Sequence, residues 1–172
     1  MPTLILMRHA NAEMSSTGMR DFDRPLSKAG HIEAQLAANK FIKTGFTISK
    51  HRPLKIFCSP ARRTIETLTN FCETIVMVDE QITYSEELYS GDVSSYQNLL
   101  NSLNDNDSCM IIGHNPMIEH FAFGLLQNDD ESGINQLKNG FPTAAIAILQ
   151  LGDPFNALNL HNKLRHFLSG QS

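Results

Sequence analysis

Three short stretches of the chain end an apolar run in groups that could do chemistry. Leu4-Ile5-Leu6-Met7 turns at once into Arg8-His9, and Lys55-Ile56-Phe57-Cys58 into Ser59-Pro60-Ala61-Arg62-Arg63. Cys109-Met110-Ile111-Ile112 turns into Gly113-His114-Asn115-Pro116. A lone His or Arg after a strand is more often a capping or ion-pairing residue. Three such endings imply one rim carrying two histidines and two or three arginines, because open parallel sheets bind ligands beyond the carboxyl ends of their strands. Each group stands at or just before an expected helix start, where free backbone N–H groups favour an anion.

Cations gathered at one rim suit a small, highly charged ligand, and a phosphate or sulfate ion fits the planar fork of arginine. With two histidines, one can attack phosphorus if it is neutral and held in the right tautomer. The second, protonated by the bound anion, would join the arginines in stabilising charge on the transferring group. Guanidinium groups then supply the charge that magnesium supplies elsewhere, so neither metal nor other cofactor is expected. Two histidines without a carboxylate or thiolate at ligand spacing make a poor zinc set. His31, His51, His120, His161 and His166 lack the strand-end setting and read as surface or packing residues.

The elements that must position these groups can be read from hydrophobic patterning. Apolar runs alternate with helix-period stretches, which predicts an α/β fold, a three-layer sandwich around a mostly parallel sheet. Strands are expected at residues 4–7, 55–58, 75–78, 109–112 and 144–151, with a last one at 164–168. Ser27 is placed to cap a helix running to about residue 43. Ser59-Pro60 opens a second, with Ile65, Leu68, Cys72 and Ile75 on its inner face. Pro116 opens a third, with Ile118, Phe121, Ala122 and Leu125 inward, and residues 92–103 form a weaker candidate. The stretch 127–140, with Asn128-Asp129-Asp130-Glu131-Ser132-Gly133 at its heart, reads as a solvated acidic connection.

Composition limits the class of protein. A length of 172 residues suits a single domain, residues 1–172, with a full core. A formal net charge of −4 argues against nucleic acid or an anionic membrane as partner, so any basic site is local. No apolar run is long enough to span a bilayer, and the first residues lack signal-peptide character. Three cysteines cannot all pair, and Cys58 and Cys109 sit inside apolar runs, as small core residues do in a reducing compartment. A cytoplasmic protein is expected.

Taken in order, Arg8-His9-Ala10, Asp23-Arg24-Pro25-Leu26-Ser27 with Gly30, Ser59-Pro60-Ala61-Arg62-Arg63-Thr64 with Thr67, and Gly113-His114-Asn115-Pro116 resemble the motifs of the histidine phosphatase superfamily. The superfamily is also called phosphoglycerate mutase-like, and the resemblance covers about residues 3–151. The variant with Arg-His-Ala, Arg-Pro-Leu-Ser and Gly-His-Asn-Pro is similar to its small SixA-type phosphohistidine phosphatases.

The resemblance implies that His9 is the nucleophile and that Arg8, Arg63 and His114 clamp the phosphate, with the backbone N–H of Asn115 as a further donor. It implies a general acid after the third strand, for which Glu87, four residues before Gly91, is the best match beside Glu86; the other reading of Glu86-Glu87 is a solvent-exposed acidic pair. Arg24 is left with two readings: it meets a protein substrate at the pocket rim, or it pairs with Asp21 or Asp23 to shape its loop.

An alkoxide leaving group needs a positioned acid, whereas a histidine imidazole leaves far more readily. The short connections around the motifs also suit a phosphate presented by another protein. The activity expected is therefore hydrolysis of protein phosphohistidine. A broad phosphomonoesterase on small-molecule or phosphoserine esters, and a non-catalytic phosphate- or phosphopeptide-binding module, are the rivals.

Overall fold

The computed structural model describes residues 2–46, 54–75, 82–104, 107–126, 130–152 and 162–169. Six strands form one sheet: β1 (Thr3–Arg8), β2 (Lys55–Cys58), β3 (Ile82–Tyr84), β4 (Cys109–Gly113), β5 (Ile146–Gln150) and β6 (Lys163–Leu168). Their order is β3-β2-β4-β1-β5-β6. The pairings β1–β4, β4–β2 and β2–β3 are parallel, while β1–β5 and β5–β6 are antiparallel. Most pairings are thus parallel, and β1, buried from Leu4 to Met7, runs through the middle.

Side chains alternate across β1 because a strand has a period of two. Ile5 and Met7 face one core with Met110, Ile112, Ile146 and Ile148, covered by α1 (Lys28–Lys43) and α2 (Arg62–Ile75). Leu4 and Leu6 face the other with Ile111, Ala147 and Leu149. That side is covered by α4 (Val93–Asn101), α5 (Met117–Leu126) and α6 (Glu131–Leu137). The result is the expected three-layer α/β/α arrangement. A short α3 (Glu87–Ser90) adds Leu88 to the second of these cores, and a 3₁₀ turn at Asp21–Asp23 has no buried residue.

Local chemistry explains the boundaries. Ser27 Oγ accepts from the Gly30 N–H at 3.0 Å and starts α1, whose inner stripe is Gly30, Ala34, Ala37, Ala38 and Phe41. Asp92 caps α4 through the Ser94 N–H at 2.8 Å. In α5, Ile118, Phe121, Ala122 and Leu125 are buried, the face that helical spacing predicts.

Two expectations are overturned. Ile75, expected to begin the third strand, is the last residue of α2, and the third strand is Ile82–Tyr84; residues 76–78, like His51 and His161, lie outside the described residues. The stretch 127–140 is not simply a solvated connection, because it holds α6. Asp130 caps that helix by accepting from Gly133 N–H, and Gly133 and Leu137 are buried. The other carboxylate oxygen of Asp130 accepts from Leu164 N–H at 2.8 Å and ties the helix to β6. Among the described residues no helix is long and apolar enough to cross a membrane.

Candidate active site

The register of the sheet brings the three strand ends together. Arg8 pairs with Gly113, and Cys58 with Ile112, so His9, Ser59 and His114 leave adjacent strands at nearly one level. The His9 N–H donates to the Gly113 carbonyl at 3.1 Å, and the Ser59 N–H to that of Ile112 at 3.0 Å. The imidazoles of His9 and His114 stand 5.1 Å apart between centroids. Gly113 is required for this crossing: a Cβ there would collide with the hydroxyl of Tyr96, which is fully buried and receives the His114 N–H at 3.4 Å.

His9 is fixed from several sides. Its Nδ1 lies 2.8 Å from the Ala10 carbonyl oxygen. A carbonyl can only accept, so Nδ1 carries the proton and the lone pair is on Nε2. The Ala10 N–H is taken by Thr67 Oγ1 at 3.0 Å, and the His9 carbonyl accepts from Ala144 N–H at 3.2 Å. Ala144 adopts a left-handed conformation, φ 55°, to make that contact. Burial pushes the His9 pKa down to about 4, against the pull of the Ala10 hydrogen bond and helped by the charges of Arg63, Arg8 and Arg24. The imidazole is therefore neutral and singly tautomeric.

The arginines arrive from different elements. Arg8 ends β1 and donates from Nη1 to the Phe141 carbonyl at 2.8 Å. Burial lowers its pKa, with Glu119 and Glu33 pulling the other way. Arg63, in the first turn of α2, is almost wholly buried. It donates from Nη1 to the Asp21 carbonyl at 2.7 Å and from Nη2 to Asp21 Oδ2 at 3.0 Å. Arg24 donates from Nε to Asp21 Oδ1 at 2.8 Å and from Nη1 to the Glu13 carbonyl at 3.0 Å. Its position thus realises the pairing with Asp21, while its charge still reaches His9. Burial alone would raise the Asp21 pKa, but Arg63 and Arg24 outweigh it and hold the carboxyl below its ordinary value.

His114 lies with Nε2 2.8 Å from Ser59 Oγ. Burial pushes its pKa down to about 3, helped by His9 and Arg63 and opposed by Asp21. Asn115 turns its amide away from the two rings: Nδ2 donates to Glu119 Oε2 at 2.8 Å and to the Phe141 carbonyl at 3.1 Å. Arg8 Nε, Arg63 Nε and His114 Nδ1 are buried without a hydrogen-bond partner among the described residues. Two guanidiniums and two imidazoles are here held together with donors to spare, an arrangement that an oxyanion would balance.

Glu87 is not drawn into this cluster. It opens α3 with its side chain exposed, as is that of Glu86, and its carboxylate makes no hydrogen bond or ion pair among the described residues. The residue of that segment that reaches the site is Tyr89, whose ring lies edge-on to that of His114 at 5.7 Å. Sequence reasoning did not single out Tyr89, Asp21 as the partner of Arg63, or Ser59 as the partner of His114. Only the Ser59-Pro60 motif offered a signal for one of them.

The model of the histidine phosphatase superfamily (branch 1) matches residues 4–105, more than half of the chain. An uncharacterised protein of Mycobacterium tuberculosis strain H37Rv is 29% identical over 150 residues, 84% of this chain and 87% of that protein. A structure described as a candidate phosphohistidine phosphatase SixA from Agrobacterium tumefaciens superposes with a TM-score of 0.80. It is 28% identical, and the match covers 98% of this chain and 99% of that one. A protein histidine phosphatase SixA complexed with tungstate gives a TM-score of 0.77 at 23% identity, covering 98% and 97%. Ordered strand-end motifs, sheet topology and family match agree: the chain belongs to branch 1 of the histidine phosphatase superfamily, with a fold of the phosphoglycerate mutase-like, SixA type.

Proposed function

We propose that the protein is a phosphohistidine phosphatase of the SixA type, acting on a phosphorylated histidine presented by another protein and working through a covalent intermediate on His9. The observation that supports it best is the single tautomer of His9. With Nδ1–H given to the Ala10 carbonyl, Nε2 is a free nucleophile surrounded by His114, Arg8 and Arg63. The tungstate carried by the SixA protein of like fold is a tetrahedral oxyanion, as phosphate is.

In the first half-reaction the Nε2 lone pair of His9 forms the new N–P bond. The bond from phosphorus to the substrate imidazole breaks, and its electron pair stays on the departing nitrogen. A substrate ring protonated on its distal nitrogen leaves as neutral imidazole, so no protein acid has to reach it. Arg8 and Arg63 hold the equatorial oxygens, and His114 donates to them once the dianion has raised its proton affinity. Arg8 spends one of its five N–H donors on the Phe141 carbonyl and Arg63 two on Asp21, which leaves several for phosphate.

In the second half-reaction water attacks phosphorus and gives up a proton to solvent. The N–P electrons return to Nε2. Phosphorylated His9 still carries its proton on Nδ1, so it too leaves as a neutral ring. The buried thiols of Cys58 and Cys109 suit the reducing cytoplasm in which this reading places the enzyme.

Turnover of a chemically phosphorylated histidine domain, p-nitrophenyl phosphate and phosphoserine by the same preparation tests the proposal. The phosphohistidine protein is expected to be preferred in kcat/KM. Preference for the esters would identify a phosphomonoesterase instead, and phosphate binding without turnover of any of the three would identify a binding module.

A further inference from the structure

We infer that the ring of Tyr89 is the surface on which the leaving imidazole of the substrate packs, making Tyr89 the residue that separates phosphohistidine from phosphates lacking a flat leaving group. The inference rests on the proposed phosphohistidine activity and adds to it a determinant of substrate choice. It begins from α3, the segment after β3 in which an acid was expected. Of its residues, Leu88 is buried and anchors the turn, Glu87 is exposed and has no hydrogen-bond or ion-pair partner among the described residues, and Tyr89 contacts the site.

Tyr89 is held by residues of separate elements. Its ring meets Phe22 edge-on, with centroids 5.0 Å apart and planes at 89°. It meets His114 at 5.7 Å and 76°, and the guanidinium carbon of Arg63 lies 5.9 Å from its centroid. Its hydroxyl donates to Asp21 Oδ2 at 3.2 Å. His114 in turn lies 5.1 Å from His9, so Tyr89 stands one ring away from the nucleophile. Yet it is only half-buried, unlike the core aromatic residues Tyr96 and Phe71, which are fully enclosed.

A side chain pinned by so many contacts but left partly open suits recognition, since little conformational freedom remains to be lost when a ligand binds. The departing group of phosphohistidine is a flat imidazole, positively charged when its distal nitrogen is protonated. Such a ring gains from an aromatic neighbour both by packing and by cation–π attraction. A serine or small alkyl leaving group gains neither.

The test compares phosphohistidine protein with phosphoramidate, which has the same P–N bond and no ring. Tyr89→Leu is expected to lose about tenfold in kcat/KM on the phosphohistidine protein, chiefly through KM, and less than about twofold on phosphoramidate. Tyr89→Phe, which keeps the ring, should stay within about threefold of wild type on both. Equal losses on the two substrates, no loss on either, or failure of Tyr89→Phe to the same degree as Tyr89→Leu would overturn the inference. The last result would assign the effect to the hydroxyl on Asp21. Unchanged thermal melting and phosphate binding of the variants check that the fold and the clamp survive. Wild-type protein inert toward phosphohistidine overturns the proposed function and this inference together. Wild-type turnover without the Tyr89→Leu contrast overturns the inference alone.

Discussion

Asp21 holds Arg63 at two points, through its backbone carbonyl at 2.7 Å and through Oδ2 at 3.0 Å. The guanidinium is thereby oriented by a loop that lies far from it in the chain. Arg63 is 6% exposed and Asp21 52%, so the pair sits where the protein interior meets the open side of the site. An ion pair half in solvent adds little stability. Its consequence is geometric, since it fixes which N–H groups of Arg63 remain for a phosphate.

Arg63→Ala is therefore expected to lower kcat/KM by about 10²- to 10³-fold, the loss of one preorganised donor group worth roughly 3 kcal/mol. Arg63→Lys should recover little of it, because an ammonium lacks the planar fork. Asp21→Ala removes the carboxylate hold on Nη2 and keeps the backbone carbonyl on Nη1, so the guanidinium is less firmly guided and a smaller loss of about tenfold is expected. Steady-state kinetics of the three variants on one phosphohistidine protein decides the order. An Asp21→Ala defect as deep as that of Arg63→Ala would show that the carboxylate does more than orient its partner.

His9→Ala removes the atom on which the intermediate is proposed to form. Turnover is expected to fall by at least about 10⁴-fold, with the melting temperature little changed. The complementary observation is on the wild type: acid quenching during turnover loses the label, whereas alkaline quenching preserves a protein-bound phosphate that mild acid releases. Activity surviving in the alanine variant would remove His9 from the role of nucleophile.

The depressed imidazoles carry a pH dependence whose sign is fixed. Burial holds His9 near 4 and His114 near 3, both below the ordinary 6.5. Between those limits the unfolded chain binds protons that the folded one does not, so stability falls as the pH drops below about 6.5 and the penalty is complete below the folded values. For His9 the full effect is on the order of 3 kcal/mol. Urea unfolding at pH 7 and pH 4.5 should show the wild type losing more stability than His9→Gln. Parallel losses in the two proteins would contradict a buried, neutral His9. Sulfate, which does not titrate in this range, should be bound with proton uptake near pH 6, as the anion restores the affinity of His114 for a proton. Calorimetry in buffers of different ionisation enthalpy measures that uptake directly.

The parts of this site that the sequence made legible are those written in adjacent residues. Arg8-His9, Ser59 to Arg63 and Gly113-His114 are local motifs at the ends of unmistakable apolar runs, and parallel pairing of β1, β4 and β2 aligns them without further information. What depended on the chain folding back was not legible. The hold of Asp21 on Arg63 joins a loop to a helix, and nothing in Arg20-Asp21-Phe22-Asp23 indicates which charge turns inward. The apolar pattern points to residues 75–78 rather than to β3, because those residues are more apolar than Ile82-Thr83-Tyr84, an edge strand with two exposed side chains. A short apolar run suits a helix end as well as a strand. Around Gly133 the polar composition suggested a loop. In fact the absent side chain allows close approach to Leu164, where a Cβ would stand 2.9 Å from that of the leucine.

Glu87 offers the sharpest contrast between phosphoester and phosphohistidine chemistry. Its carboxylate is exposed and, among the described residues, unpartnered, on a segment that sends Tyr89 against His114. Protonation of a departing alkoxide by a positioned acid contributes about 10²- to 10⁴-fold. Departure of an imidazole that already carries its proton gains nothing of the kind. Glu87→Gln is accordingly expected to change kcat/KM on a phosphohistidine protein by less than about threefold, with an unaltered pH profile. On an alkyl phosphate the wild type should already be slow, and the variant no slower. A loss of about 10² or more in Glu87→Gln on either substrate would mean that α3 moves on binding to deliver the carboxylate. The site would then be built for esters after all.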